Sequence, residues 1–243
     1  RTVTNVSVIK DFVLVSILRN VRGRILSFAL ADSAGSQQWQ GDELELPGYG
    51  AVGIASASAY QNALMVTFQD FLSPTRLYWL DSPQAQPRVM KSLPSQFDST
   101  GLNITQGHAT SKDGTAIPYF VVSRENLTLD GTNPTLLYGY GGFRSPQTPS
   151  YSATVGKLWL ERGGVYVLAN IRGGTEFGPE WHRAGLLKNR QVVFDDFIAI
   201  AEDLIRRNIT SPEHLGIMGG SNGGLLVGAV TVQRPELFKA VVC

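Results

Sequence analysis

Through the first third of the chain, apolar residues fall in short, partly alternating runs at 6–9, 12–18, 25–30, 44–46, 52–55, 64–68 and 77–80. Turn-formers separate them, among them Asn20-Val21-Arg22-Gly23, Asp32-Ser33-Ala34-Gly35 and Pro47-Gly48-Tyr49-Gly50, and no stretch between them repeats at helical spacing. The pattern predicts an all-β region. Many short strands at close spacing fit a sandwich or propeller blades, and at roughly 40–50 residues per blade the stretch holds about two. No tryptophan–aspartate signature marks a blade, so the pattern by itself leaves both architectures open. From Ser82-Pro83-Gln84-Ala85-Gln86-Pro87 to Pro94-Ser95 the chain is polar and proline-bearing, which predicts a linker.

Beyond the linker the pattern changes character. Lys112-Asp113-Gly114-Thr115 is a hairpin signal leading into a strand over 117–123, and a buried strand over 135–138 follows the turn at 129–134. A helical pattern spans about 151–162 and stops at Gly163-Gly164, with an apolar strand predicted over 165–171. Phe194, Phe197, Ile198, Ala201, Leu204 and Ile205 share one face at helical spacing, so about 192–207 reads as an amphipathic helix. Short strands over 215–218 and 240–242 flank a last helix. Strands alternating with helices imply an α/β unit on a mostly parallel sheet, with ligands at the C-terminal ends of the strands.

The most informative stretch is Gly219-Gly220-Ser221-Asn222-Gly223-Gly224, set between two apolar runs without a spacer. Gly219-x-Ser221-x-Gly223 fits a nucleophile elbow, a strained strand-to-helix turn with the serine at its tip and glycines where a side chain would strike neighbouring backbone. The serine then starts a helix, where the Asn222 N–H can face a developing oxyanion. Two other loops leave strand ends and should meet the elbow on one rim: Gly139-Tyr140-Gly141-Gly142-Phe143 and Arg172-Gly173-Gly174-Thr175-Glu176-Phe177-Gly178. Tyr140 carries a hydroxyl donor, although packing is an equal explanation for its ring and that of Phe143. Arg172 and Glu176 can position substrate or brace their loop, and two charges in a glycine-rich loop favour bracing.

Composition narrows the function. Apolar residues at 43% and charged residues at 17% describe a globular chain, and a net charge of +1 supplies no field for nucleic acid. The single cysteine, Cys243, excludes an internal disulfide and a multi-cysteine metal site. No apolar run reaches membrane-spanning length and no signal segment is visible, which means little in a chain opening on Arg1. Four Asn-x-Ser/Thr triplets, at Asn5, Asn103, Asn126 and Asn208, read as chance. A serine nucleophile needs a histidine base held by a carboxylate, in this fold in the order Ser, Asp or Glu, His. His108, His182 and His214 all precede Ser221, and each reads as structural.

Leu137-Tyr138-Gly139-Tyr140-Gly141-Gly142-Phe143, Ala169-Asn170-Ile171-Arg172-Gly173-Gly174, Glu180-Trp181-His182, Phe194-Asp195-Asp196-Phe197 and the Ser221 elbow, in this order and spacing, resemble the prolyl oligopeptidase family of serine peptidases. Phe71-Leu72-Ser73-Pro74 is similar to that family's last blade. The resemblance implies an α/β hydrolase preceded by all-β propeller blades: residues 1–97 as about two of seven blades with a linker, and 98–243 as the peptidase domain, truncated after the elbow. Both ends read as strands cut short, so an internal fragment is expected. By the same resemblance Ser221 is the nucleophile, the Tyr140 hydroxyl and the Asn222 N–H form the oxyanion hole, and Phe143 with the Asn222 side chain lines the pocket for the residue before the scissile bond. Gly220 and Asn222 point to the prolyl branch, and Thr175 departs from a usual third glycine. The expectation is a serine peptidase cleaving short peptides after proline, with the triad Asp and His outside this chain and no cofactor or metal. Its partners are short peptides, with neither nucleic acid nor membrane, and the full-length protein is expected to be a monomer. The compartment stays open, with the cytoplasm preferred to the periplasm or secretion. The rival readings are a non-catalytic propeller–hydrolase scaffold and an esterase of the same fold.

Overall fold

The computed structural model describes residues 1–33, 36–48 and 50–243, so Ala34-Gly35 and Tyr49 of the predicted turns lie outside the described residues. The chain divides into two compact units, one of Arg1–Ser95 with Thr148–Tyr151 and one of Gln96–Gln147 with Ser152–Cys243.

In the first unit, β1 (Thr2–Val8), β2 (Val13–Arg19), β3 (Arg22–Ser33) and β4 (Ser36–Glu43) form one antiparallel sheet in sequence order. A second consists of β5 (Ala51–Ser56), β6 (Leu64–Gln69), β7 (Arg76–Leu80) and β8 (Arg88–Ser92). Each is a four-stranded propeller blade. Period-two burial organises them: Leu64, Val66 and Phe68 of β6 are buried and join Leu14, Ile25, Tyr78 and Leu80 in one core, each such side chain contributing about 1.5–3 kcal/mol. Tyr151 closes its own part of this unit by donating its N–H to Gln69 Oε1 at 3.4 Å.

Two expectations fail here. The stretch 82–95 is no linker, because it holds β8, and the apolar run 44–46 is no strand, because the neighbouring polar stretch forms β4 instead. Every residue of β4 and β8 is exposed. As the outer strands of their sheets they are held by backbone pairing along one edge, and burial leaves no mark on their sequences. Leu44 is buried as an anchor just beyond β4, its N–H donating to Ile25 O at 2.9 Å.

The second unit is built on β9 (Leu102–Thr110), β10 (Ala116–Arg124), β11 (Thr135–Tyr138), β12 (Val165–Ala169), β13 (Leu215–Met218) and β14 (Ala240–Val242), ordered β14-β13-β11-β12-β10-β9. β11 through β14 run parallel, and β9 and β10 add an antiparallel flank. Phe197, Ile200 and Leu204 of the long helix join Leu137, Val167 and Ile217 of the sheet in the core. Of the predicted 151–162 helix, only α1 (Ala153–Val155) is α-helical, and Gly156–Leu160 continue as a π turn. Gly156 packs directly under Phe97, where a Cβ would lie 1.9 Å from the ring, and Trp159 Nε1 donates to Val165 O at 2.8 Å. These contacts accompany the widened turn. The remaining α-helices among the described residues are α2 (Pro179–Arg183), α3 (Gln191–Arg206) and α4 (Asn222–Gln233), with α3 within a residue of its predicted bounds.

Candidate active site

The parallel strands β12, β11 and β13 lie side by side, so the loops after Ala169, Tyr138 and Met218 leave the same edge of the sheet. Ser221 occupies the turn between β13 and α4, exposed, at φ 55° and ψ −119°, a conformation that strains any residue with a side chain. Its glycine neighbours are forced by contact. A Cβ at Gly219 would lie 2.2 Å from Gly223 O, and one at Gly223 would lie 2.6 Å from Gly139 O. The second distance also shows the Tyr140 loop resting on the elbow.

Side chains fasten the two together. Asn222 Nδ2 donates to Tyr140 O at 2.5 Å, while its Oδ1 accepts from Arg190 Nη2 at 3.1 Å. Arg190 Nη1 donates to Gly141 O at 2.6 Å. The third loop joins from the other side, since a Cβ on Gly173 would meet Gly141 O at 2.3 Å. All three loops therefore converge. Beside them is a cavity of about 500 Å³ lined by Phe143, His182, Leu186, Leu187, Arg190 and Asn222. Phe143 is exposed and stands at φ 52°.

Arg172 and Glu176 are both buried, with separate partners. Arg172 forms ion pairs with Asp196 and Asp113, each at 2.5 Å, and Asp196 also accepts from Ser111 Oγ at 2.6 Å. Burial works to lower the Arg172 pKa, but the bonds to the two aspartates outweigh it and raise the value above the ordinary range. Glu176 Oε1 accepts the Gln147 N–H at 2.8 Å, and burial pushes its carboxyl up to about 7 despite that bond. Thr175 is free of the positive φ that would demand glycine, and its hydroxyl donates to Arg144 O at 2.9 Å, adding a tie between loops.

The histidines are dispersed. His108 is on β9 at the sheet edge, with three strands between it and β13, or four spacings of ~4.8 Å, roughly 19 Å. His214 precedes β13, at the opposite end of that strand from Ser221, and its Nδ1 meets Ser211 Oγ at 2.9 Å. His182 is buried with Nδ1 2.6 Å from Gly173 O, and shares the cavity with Asn222. Among the described residues no group of three or more His, Cys, Asp or Glu could hold a metal, and no helix is long and apolar enough to cross a membrane. Sequence reasoning missed Arg190 altogether. It ends Leu187-Lys188-Asn189-Arg190, a stretch with the look of ordinary surface, and its partners lie 49 and 32 residues away.

A mostly parallel sheet with flanking helices and a serine at a strained strand-to-helix turn defines an α/β hydrolase, here preceded by propeller blades. Residues 149–243 match the model of the prolyl oligopeptidase family. An uncharacterised peptidase of Sinorhizobium fredii is 52% identical over 96% of this chain and 32% of its own length. The structure of a post-proline cleaving enzyme from Rickettsia typhi superposes with a TM-score of 0.86 at 42% identity, over 99% of this chain and 34% of that one. Prolyl oligopeptidase B from Galerina marginata, solved bound to a 25mer macrocyclization substrate, gives 0.84 at 31% identity, over 98% and 33%. By these matches the chain is similar to the prolyl oligopeptidase family, and it spans about a third of the length of the curated relatives it matches.

Proposed function

We propose that this chain is part of an enzyme that hydrolyses short peptides on the carboxyl side of proline through an acyl-enzyme on Ser221. The observation that carries the reading is the elbow itself: an exposed Ser221 at φ 55°, with the Tyr140 loop tied to the next residue, Asn222, beside a cavity. In this reading Ser221 Oγ attacks the scissile carbonyl carbon and yields its proton to a base. The carbonyl oxygen, now negative, takes hydrogen bonds from the Asn222 N–H at the start of α4 and from the Tyr140 hydroxyl. The base then protonates the departing amine as the C–N bond breaks, and water releases the acyl group by the reverse sequence. Phe143 and Asn222 line the pocket for the residue before the scissile bond. Its volume lies within the usual range for small ligand sites, and Phe143, Leu186 and Leu187 suit an apolar ring.

The proton acceptor and its carboxylate are assigned to the longer protein, not to residues 1–243. One observation supports that: the dispersal of His108 on β9 and of His214 at the far end of β13. General-base help is worth about 10²–10⁴ in rate, so the 243-residue chain alone should turn over peptide far more slowly than the full-length protein.

The deciding experiment is fluorophosphonate labelling and peptide turnover of the full-length protein, with proline or alanine before the scissile bond. Wild type should label and favour proline, and Ser221→Ala should abolish labelling. Tyr140→Phe should lower kcat by about 10²–10³ with little change in KM. Wild type that never labels would favour the binding scaffold instead.

A further inference from the structure

Arg190 stands immediately before α3, half-buried, where two physical effects oppose a cation. A positive charge at a helix N-terminus faces the unfavourable end of the helix dipole. Burial also disfavours the charged form, pushing its pKa down, and its neighbours are a carbonyl, an amide oxygen and the Phe194 ring at 5.4 Å instead of a carboxylate. An arginine at a helix start ordinarily extends its head into water. This one spends its donors on Gly141 O at 2.6 Å and Asn222 Oδ1 at 3.1 Å.

The second bond fixes more than its own length. An asparagine amide has one acceptor side and one donor side, so a donor at Oδ1 dictates that Nδ2 faces the other way. Here that way is Tyr140 O, at 2.5 Å. Two consecutive carbonyls, of Tyr140 and Gly141, are thus held by two side chains that also hold each other. Without the guanidinium, Asn222 Oδ1 loses its donor, Nδ2 and Tyr140 O are left alone to orient the amide, and the loop loses its tether at Gly141 outright.

We propose that Arg190 is a positioning residue for the oxyanion hole: by clamping Gly141 and orienting the Asn222 side chain, it sets the spacing between the Tyr140 hydroxyl and the Asn222 N–H. The proposal rests on the reading that these two donors form the hole. It requires Arg190 to act on turnover through Tyr140 and not through substrate affinity or the fold.

The test is a double-mutant cycle in the full-length protein, with kcat and KM for a proline peptide and the thermal midpoint read for each variant. Arg190→Met is expected to lower kcat by about 10–100-fold, since a misplacement near 1 Å costs on that order, with KM within about threefold. Arg190→Lys, a point donor able to replace one bond of the fork, should recover part of the loss. In a Tyr140→Phe background the further loss from Arg190→Met should shrink to about threefold or less, because the donor being positioned is already gone. If Tyr140→Phe slows turnover but Arg190→Met leaves kcat unchanged, or multiplies in full with Tyr140→Phe, the positioning role is wrong while the oxyanion hole stands. If Tyr140→Phe itself has no effect, both fall. Should Arg190→Met fail to fold, the same coupling is read from Arg190→Lys against Tyr140→Phe, and full multiplication there overturns the proposal equally.

Discussion

Ser221 is held at φ 55° and ψ −119°, which costs a residue bearing a Cβ about 1–3 kcal/mol and glycine much less. Ser221→Gly should therefore raise the unfolding free energy by about 1 kcal/mol after the added freedom of the unfolded glycine is subtracted. Ser221→Ala keeps the Cβ and should gain nothing; urea unfolding of the two variants compares them directly, and equal stabilities would argue against strain. Glu176 supplies a second residue-scale test. Burial raises its pKa from 4.5 to about 7, so across that interval the unfolded chain releases its proton while the folded chain retains it. Stability must fall as pH rises through the interval and level off above it. Glu176→Gln removes this titration, and its stability relative to wild type should improve by about 3 kcal/mol between pH 4 and pH 8, with no further gain above. The elbow glycines were legible in the sequence because the atom a Cβ at Gly219 would strike belongs to Gly223, four residues on. The partners of Glu176 and Arg190 lie 29 and 49 residues away, and no local pattern announces them.

At the scale of elements, sequence pattern located what burial had shaped. The alternation in β6 and the apolar stripe of α3 are direct imprints of a core on a chain. The outer strands β4 and β8 carry no such imprint, being exposed throughout and defined by partners in β3 and β7. The π turn at Gly156–Leu160 escaped for a related reason: the ring packed against it, Phe97, lies 59 residues earlier than Gly156 in sequence order. That contact is testable. Gly156→Ala places a methyl into the Phe97 ring and should cost about 1–3 kcal/mol of stability, although alanine is the better helix former by propensity. A neutral or stabilising result by thermal unfolding would show that the ring can move aside.

At the scale of the whole molecule, apolar surface stands open on α4 and along β14. Leu225 and Val232, seven residues apart on α4, are exposed by 58% and 85%, and every residue of β14 at the sheet edge is exposed. The 243-residue chain in isolation should self-associate, and Leu225→Lys with Val232→Glu should lower its light scattering. Unchanged scattering would assign the association to another surface, with the β14 edge first among them. A different consequence follows from the membership of Thr148–Tyr151 in the first unit. A ribosome delivers β9, β10, β11 and the Tyr140 loop after Ser95, and only then Tyr151, which reaches back to Gln69. The last residues of the first unit thus leave the ribosome after three strands of the second, so co-translational folding of the first unit cannot be complete before part of the hydrolase sheet has been made.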